Sequence, residues 1–196
     1  IVSIMQKIYP TIKEQHRATR ELYGFFLGKQ PILEKERPTE EQAFKNNIVV
    51  ENHAYKLVNF KTSYLISDGF KYSQSDDKRT HDVTMLNKYF VDEDKLTKDY
   101  NIAKWMYVCG HGFRFIRPTA NKRANFDGES PFNIVNLDPT QAFIVYSTSV
   151  DGEVALSGYV AQTKQAEFTG TVDEYTFTIY TKERVFTIVT NSDDIG

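Results

Sequence analysis

Trp105, Cys109 and His111 fall within seven residues in the stretch "WMYVCGHGFRFIRP", which holds the only tryptophan and the only cysteine of the chain. A thiol two residues from an imidazole is the pair best suited to nucleophilic chemistry here, and Cys109 with His111 would serve a small α+β hydrolase or nuclease. The position of the cysteine argues otherwise. A thiol at the C-terminal end of a helix faces the negative end of the helix dipole, which disfavours the thiolate. The competing reading makes Cys109 a small buried hydrophobe and His111 a cap for the last helical carbonyls.

Other chemistries find less to work with. His16, His53, His81 and His111 lie in four different predicted elements, none with a second ligand at the spacing of a zinc motif. Asp76, Asp77, His81 and Asp82 share one polar stretch, "SDDKRTHD", which lacks the alternating oxygen ligands and closing glutamate of a calcium loop. "GHGF" has two glycines of a dinucleotide fingerprint but not the third, and it runs from helix to strand instead of strand to helix. No catalytic, cofactor-binding or metal-binding residue is therefore assigned, and no cofactor is expected. Arg114, Arg117, Lys122 and Arg123, interleaved with Phe113, Phe115 and Phe126, offer a polyanion contact of the single-strand-binding kind. The plainer reading of the same residues is a strand followed by a polar hairpin loop.

These residues need elements to hold them, and the pattern changes at the crowded stretch itself. Before it the chain reads as helical. Thr11 with Glu14 resembles a capping box opening a helix in which Ala18, Leu22, Phe25 and Phe26 recur until Gly28. "PILEKERPTEEQAFKN" reads as an exposed connection. Glu51–Ser67 reads as a second helix with Ala54, Leu57, Val58, Tyr64 and Leu65 on a broad apolar face. A short helix ends near Val91, and Asp92 or Asp94 caps the next one. In that last helix the apolar residues crowd toward Cys109, so it is expected to start at the surface and end buried. Trp105, Met106, Tyr107 and Cys109 are then core, and Gly110 and Gly112 shape the junction into the strand "FRFIRP".

Beyond the junction the segments "FNIVNLD", "AFIVYST", "ALSGYVAQ", "DEYTFTIYT" and "RVFTIVT" are rich in β-branched and aromatic residues. Asp138-Pro139, Asp151-Gly152, and Gly170 with Asp173 mark the turns between them, and Lys182-Glu183 a two-residue hairpin. Tyr175, Phe177 and Ile179 alternate with Thr176, Thr178 and Tyr180, as one buried face requires. Helices first and mostly antiparallel strands after define an α+β fold. We expect one region over 1–196, helical to about residue 110 and β-rich from about 111, cut from a longer polypeptide.

Composition narrows the partners. The chain has 196 residues, with 24 Lys and Arg against 26 Asp and Glu for a net charge of -2, which gives no sign of a surface built to coat nucleic acid or seek membranes. One cysteine cannot form an internal disulfide, and no apolar run is long enough to span a bilayer.

The order of four segments carries a resemblance. "ELYGFFLGKQPIL", "NNIVVENHAYKLVNFKTSYLISDGFKYS", "AKWMYVCGHGFRFIRP" and "PFNIVNLDPTQAFIVYST" together resemble the N-terminal half of the portal proteins of tailed bacteriophages, in the siphovirus type. The matching features are a Tyr-x-Gly-like motif near Tyr23 to Gly28, and an asparagine-led helix from Asn52 to Leu65. A helix running into Gly-x-Gly, the step Leu137-Asp138-Pro139 and a strand ending in "VYS" complete them. The resemblance implies a non-enzymatic structural subunit, the wing portion of a homo-oligomeric ring, usually of about twelve copies. Such a ring sits at the capsid vertex of the virion, is assembled in the bacterial host cytoplasm, and forms the channel for packaging and ejecting DNA. It implies contact with capsid or scaffolding protein, no membrane, and contact with terminase and double-stranded DNA mainly through later parts that have no counterpart here.

Overall fold

The structure is a computed structural model that describes residues 1–34, 51–75, 80–119, 130–167, 170–193 and 195. Its elements run α1 (Val2–Phe26), α2 (His53–Ile66), α3 (Thr80–Asp92), α4 (Lys95–Cys109), β1 (Phe113–Pro118), β2 (Phe132–Leu137), β3 (Ala142–Tyr146), β4 (Val154–Glu167), β5 (Gly170–Tyr180) and β6 (Val185–Thr190). Helices precede two antiparallel sheets, one of β1-β2 and one in the order β3-β4-β5-β6, so the fold is α+β. The chain divides into two compact units, Ile1–Thr19 with Leu137–Gly196, and Arg20–Asn136.

In the first unit, one stripe of α1 lies on the four-stranded sheet. Met5, Tyr9, Ile12, His16 and Thr19 are buried at a helical repeat, and the first three share a core with Phe143, Leu156, Val160, Phe177, Ile179 and Ile195. Tyr9 meets Phe177 edge to face, with ring centroids 5.0 Å apart. His16 Nε2 lies 2.9 Å from the Ala142 carbonyl, so the ring nitrogen that donates there spares a buried polar group the cost of being unpaired. Burial of a side chain such as Phe177 or Ile179 contributes roughly 1.5–3 kcal/mol.

Two expectations change here. α1 begins at Val2, not at Thr11, and continues through Pro10. An internal proline removes one helical hydrogen bond, and the Met5–Tyr9–Ile12 stripe holds the helix across it. The buried face is accordingly set by those residues, while Ala18, Leu22 and Phe25 are exposed and only Phe26 of the expected set is buried. The expected turn at Gly170 and Asp173 is strand instead. β4 and β5 pair without interruption from Ser157↔Tyr180 to Glu167↔Gly170. The hairpin at Lys182-Glu183 forms as read: the Thr181 N–H donates to the Arg184 carbonyl (2.9 Å), and Thr181 Oγ1 accepts from the Arg184 N–H (3.0 Å).

Close approach of strands also fixes one glycine. A Cβ on Gly158 would lie 2.5 Å from the Thr178 carbonyl oxygen and 2.7 Å from Phe143 Cζ, so no side chain fits between β3 and β5 at that point.

The second unit packs α2 and α3 against α4 and adds the β1-β2 ribbon. Asn52 opens α2 by accepting from the Tyr55 N–H (2.9 Å) while its amide donates to the Phe26 carbonyl at the end of α1 (2.9 Å). One side chain thus caps one helix and ties off another. α2 buries only Val58, Thr62 and Ile66. Leu57, Tyr64 and Leu65, read from the sequence as part of the packing face, are exposed, because a helix that is apolar on most of its circumference can turn only one stripe to a single neighbour.

Candidate functional site

α4 has an N-terminus at Asp94 and is stopped by Gly110, whose N–H donates to the Met106 carbonyl (2.9 Å) with φ 82°. That left-handed conformation suits glycine. Gly112 is needed for a different reason: a Cβ there would stand 2.6 Å from Ile102 Cγ1. Conformation fixes the first glycine and space fixes the second, and β1 leaves the junction at Phe113.

The burial gradient along α4 runs opposite to the sequence expectation. Its buried residues are Lys95, Asp99 and Ala103, near the start, whereas Met106 is 56% exposed and Tyr107 41% exposed near the end. The reason is electrostatic. The Lys95 ammonium sits 5.7, 5.4 and 5.3 Å from the ring centroids of Phe70, Tyr72 and Phe90, and it pairs with the Asp99 carboxylate one turn on. A cation enclosed by three aromatic rings and an anion is a buriable group.

Asp99, 5% exposed, takes a second cation from the strand beyond the junction: Arg114 Nη1 is 2.7 Å from its Oδ1. Arg114 Nε donates to Asn136 Oδ1 on β2 (3.1 Å), and the Asn136 amide donates to the Lys98 carbonyl on α4 (2.6 Å). Lys98 in turn pairs with Glu93 (3.1 Å), whose carboxylate also accepts from the Ile134 N–H (2.8 Å). This network locks the start of α4 to both strands of the ribbon. Its cost is visible too, since Arg114 Nη2 is buried without a hydrogen-bond partner among the described residues.

The residues singled out for chemistry are placed as follows. Trp105 is half-buried with its ring 4.6 Å from that of Tyr23. Cys109 is half-buried, not fully buried, and its Sγ lies 3.1 Å from the Trp105 carbonyl and 3.7 Å from that of His111. Both contacts use the thiol as a donor to backbone oxygen. The His111 ring turns its edge relation to Phe113, with centroids 5.3 Å apart. His16 belongs to the first unit, His53 pairs with Glu51 (2.9 Å) at the surface, and His81 is exposed. Among the described residues no three His, Cys, Asp or Glu side chains are grouped to hold a metal ion.

The two described members of the basic cluster, Arg114 and Arg117, do not come together. Alternation along β1 sends Arg114 and Arg117 to opposite faces; Arg117 is exposed and Arg114 is held by Asp99. Lys122, Arg123 and Phe126 lie outside the described residues, as do Asp76 and Asp77 and most of the connection that follows Leu33. Lys95 and Asp99, which sequence reasoning passed over, had one signal available, their i,i+4 spacing. Nothing in that spacing announces the aromatic enclosure or the arginine that arrives from β1.

The arrangement holds helices to strands, and among the described residues the Cys109 thiol donates to backbone carbonyls. Among the described residues no helix is long and apolar enough to cross a membrane. Over residues 6–195 the chain matches the family described as phage portal protein, SPP1 Gp6-like. No curated protein matches it.

Proposed function

Because this chain belongs to the SPP1 Gp6-like family of phage portal proteins, a structural family of the virion, we propose that it forms the wing portion of a portal subunit. In this reading residues 1–196 are one α+β wing region, carrying both units, of a longer polypeptide. Copies assemble into a ring of about twelve at the capsid vertex, around the channel through which DNA is packaged and ejected. Capsid or scaffolding protein contacts the wing. Terminase and DNA engage parts of the subunit beyond these residues. Assembly takes place in the cytoplasm of the bacterial host.

The observation that carries the proposal is the extent of the family match, residues 6–195, which runs from within α1 through β6 and so reaches both units. The junction residues Trp105, Met106, Cys109, Gly110 and Gly112 have a structural role in this reading, joining α4 to the ribbon. Of Arg114 and Arg117, the two described members of the basic cluster, Arg117 is the exposed one and the one available to a polyanion. Electron microscopy with mass determination on the complete gene product tests the proposal. Rings of about twelve copies around an open channel are expected; a monomer or dimer across a range of salt would overturn it.

A further inference from the structure

The four-stranded sheet of the first unit has two edges, β3 and β6, and they are finished differently. An edge strand turns every second N–H and C=O away from its sheet, and a row of such groups is a template for another strand. Beside β3 the Val160 N–H donates to the Gln141 carbonyl (3.0 Å), so alternation turns the Ala142 and Ile144 groups outward. The chain itself meets the first of these. The Ala142 N–H donates to the Asp138 carbonyl (2.9 Å), and the Ala142 carbonyl lies 2.9 Å from His16 Nε2. A bulge between Val145 and Tyr146 then ends the regular edge, leaving Ile144 as its one open position.

β6 has none of these devices. Its pairing with β5 runs without a bulge from Tyr180↔Val185 to Tyr175↔Thr190. Thr181 and Arg184 are the hydrogen-bonded pair of the hairpin, so Phe186, Ile188 and Thr190 bond to β5. The N–H and C=O groups of Val185, Thr187 and Val189 therefore point off the sheet, and nothing among the described residues meets them. The strand Val-Phe-Thr-Ile-Val-Thr carries no charge, proline or glycine, and Val185 and Val189 are 60% and 55% exposed. Edges that must stay single are blunted by charge, proline or a bulge, and this one is not.

The sequence of β6 says what fits it. A second β6 laid antiparallel with Thr187 on a two-fold axis brings Val185 opposite Val189 of the second copy, Phe186 opposite Ile188, and Thr187 opposite Thr187. In this register the outward groups of the two strands fall opposite one another and form about six N–H···O=C bonds. A two-fold axis sets each residue near its own copy, which any charge close to the axis would oppose. β6 instead supplies a Thr–Thr pair at the axis and apolar pairs on either side, the cross-strand pairs that stabilise a sheet. β3 cannot take the place of the second β6, because the outward groups of Ala142 are already bonded.

We infer that β6 is the edge by which two copies of the chain pair, joining their four-stranded sheets into one. The inference stands on the sheet alone and does not rest on the portal reading. A two-fold contact has no place between neighbours in a head-to-tail ring, so this one joins copies that have not entered a ring.

Disulfide trapping in the complete gene product tests it, with diamide applied to expressing cells while new subunits are still entering assemblies. In a Cys109→Ser background, Thr187→Cys is expected to give a disulfide-linked dimer on a non-reducing gel. A residue on the axis meets its own copy within the span of a disulfide, roughly 4.4–6.8 Å between Cα atoms. Val185→Cys alone is expected to give no dimer, and Val185→Cys with Val189→Cys to restore it. Adding Thr187→Pro to that pair should abolish the crosslink while circular dichroism stays native, since the N–H it removes makes no bond to β5. No dimer from Thr187→Cys, or an equal yield from Val185→Cys alone, overturns the pairing. Rings in electron micrographs with no disulfide overturn the pairing and leave the portal reading standing. A disulfide dimer without rings upholds the pairing and removes the portal reading.

Discussion

The two units solve the same problem, holding a helix in place, with opposite materials. In the first, α1 is held by an apolar stripe: Met5, Tyr9 and Ile12 against Phe177, Ile179 and their neighbours. In the second, α4 is held by charge: Lys95, Asp99 and Arg114, with three aromatic rings around the lysine. The second unit meanwhile keeps Phe60, Tyr64 and Met106 at the surface. Apolar packing is non-directional and tolerates sliding, whereas an ion network with fixed hydrogen-bond partners sets one register between helix and strand.

The largest predicted effect breaks that contrast at its centre. Asp99→Ala leaves Lys95 and Arg114 facing each other without their shared anion, and removing one partner of a buried ion pair costs about 3–5 kcal/mol. Chemical denaturation followed by probes in each unit should show the loss confined to the transition of the second unit. Replacing the triad together, as Lys95→Met, Asp99→Leu and Arg114→Met, should recover most of it. If the triple variant is as unstable as the single one, the network contributes more than charge balance and the contrast between units is drawn wrongly.

Gly158→Ala probes the first unit where its packing is tightest. With a new Cβ 2.5 Å from the Thr178 carbonyl oxygen, β4 and β5 must part or Phe143 must leave its place. Overpacking of this kind costs about 1–3 kcal/mol. Thr62→Val, at the middle of the buried α2 stripe, should move stability the other way. Its hydroxyl is fully buried and has no hydrogen-bond partner among the described residues, and relief of an unsatisfied group is worth about 1–3 kcal/mol. A neutral result at Thr62 would mean the hydroxyl finds a partner in solution.

Patterns with a short period were legible in the sequence, and those that depend on distant partners were not. The alternation through Tyr175, Phe177 and Ile179, the hairpin at Lys182-Glu183, the Asn52-led helix and the glycine stops at Gly28 and Gly110 are local, and the structure has them. Thr11 and Glu14 imitate a capping box on local grounds, yet α1 runs from Val2 through Pro10, where Met5 and Tyr9 lie on the sheet. Met106 and Tyr107 were read as core because apolar residues crowd the end of α4. Yet burial depends on which side has a neighbour, and the neighbours of α4 gather around Lys95 and Asp99. A lysine at a core position is invisible to hydropathy, since its enclosure comes from Phe70, Tyr72 and Phe90 on other segments.

The smallest effect compares a surface charge pair with the buried network. On α1, Arg17 donates to Glu14 three residues earlier (3.0 and 2.5 Å), and that hydrogen bond, with a further attraction from the arginine charge, holds the Glu14 carboxyl below its ordinary value of 4.5 against an opposing effect of burial. A carboxyl lowered in the folded state binds its proton less readily there than in the unfolded chain, so the contribution is present above the ordinary glutamate value and is lost as pH falls through the folded one. Both side chains are more than half exposed, so the effect is small and salt should erase it. Arg17→Gln should therefore leave stability at low pH almost unchanged, lower it slightly at neutral pH, and lose even that difference in concentrated salt. Identical pH profiles at low salt would show that this surface pair contributes nothing despite its good geometry, in contrast to the buried triad.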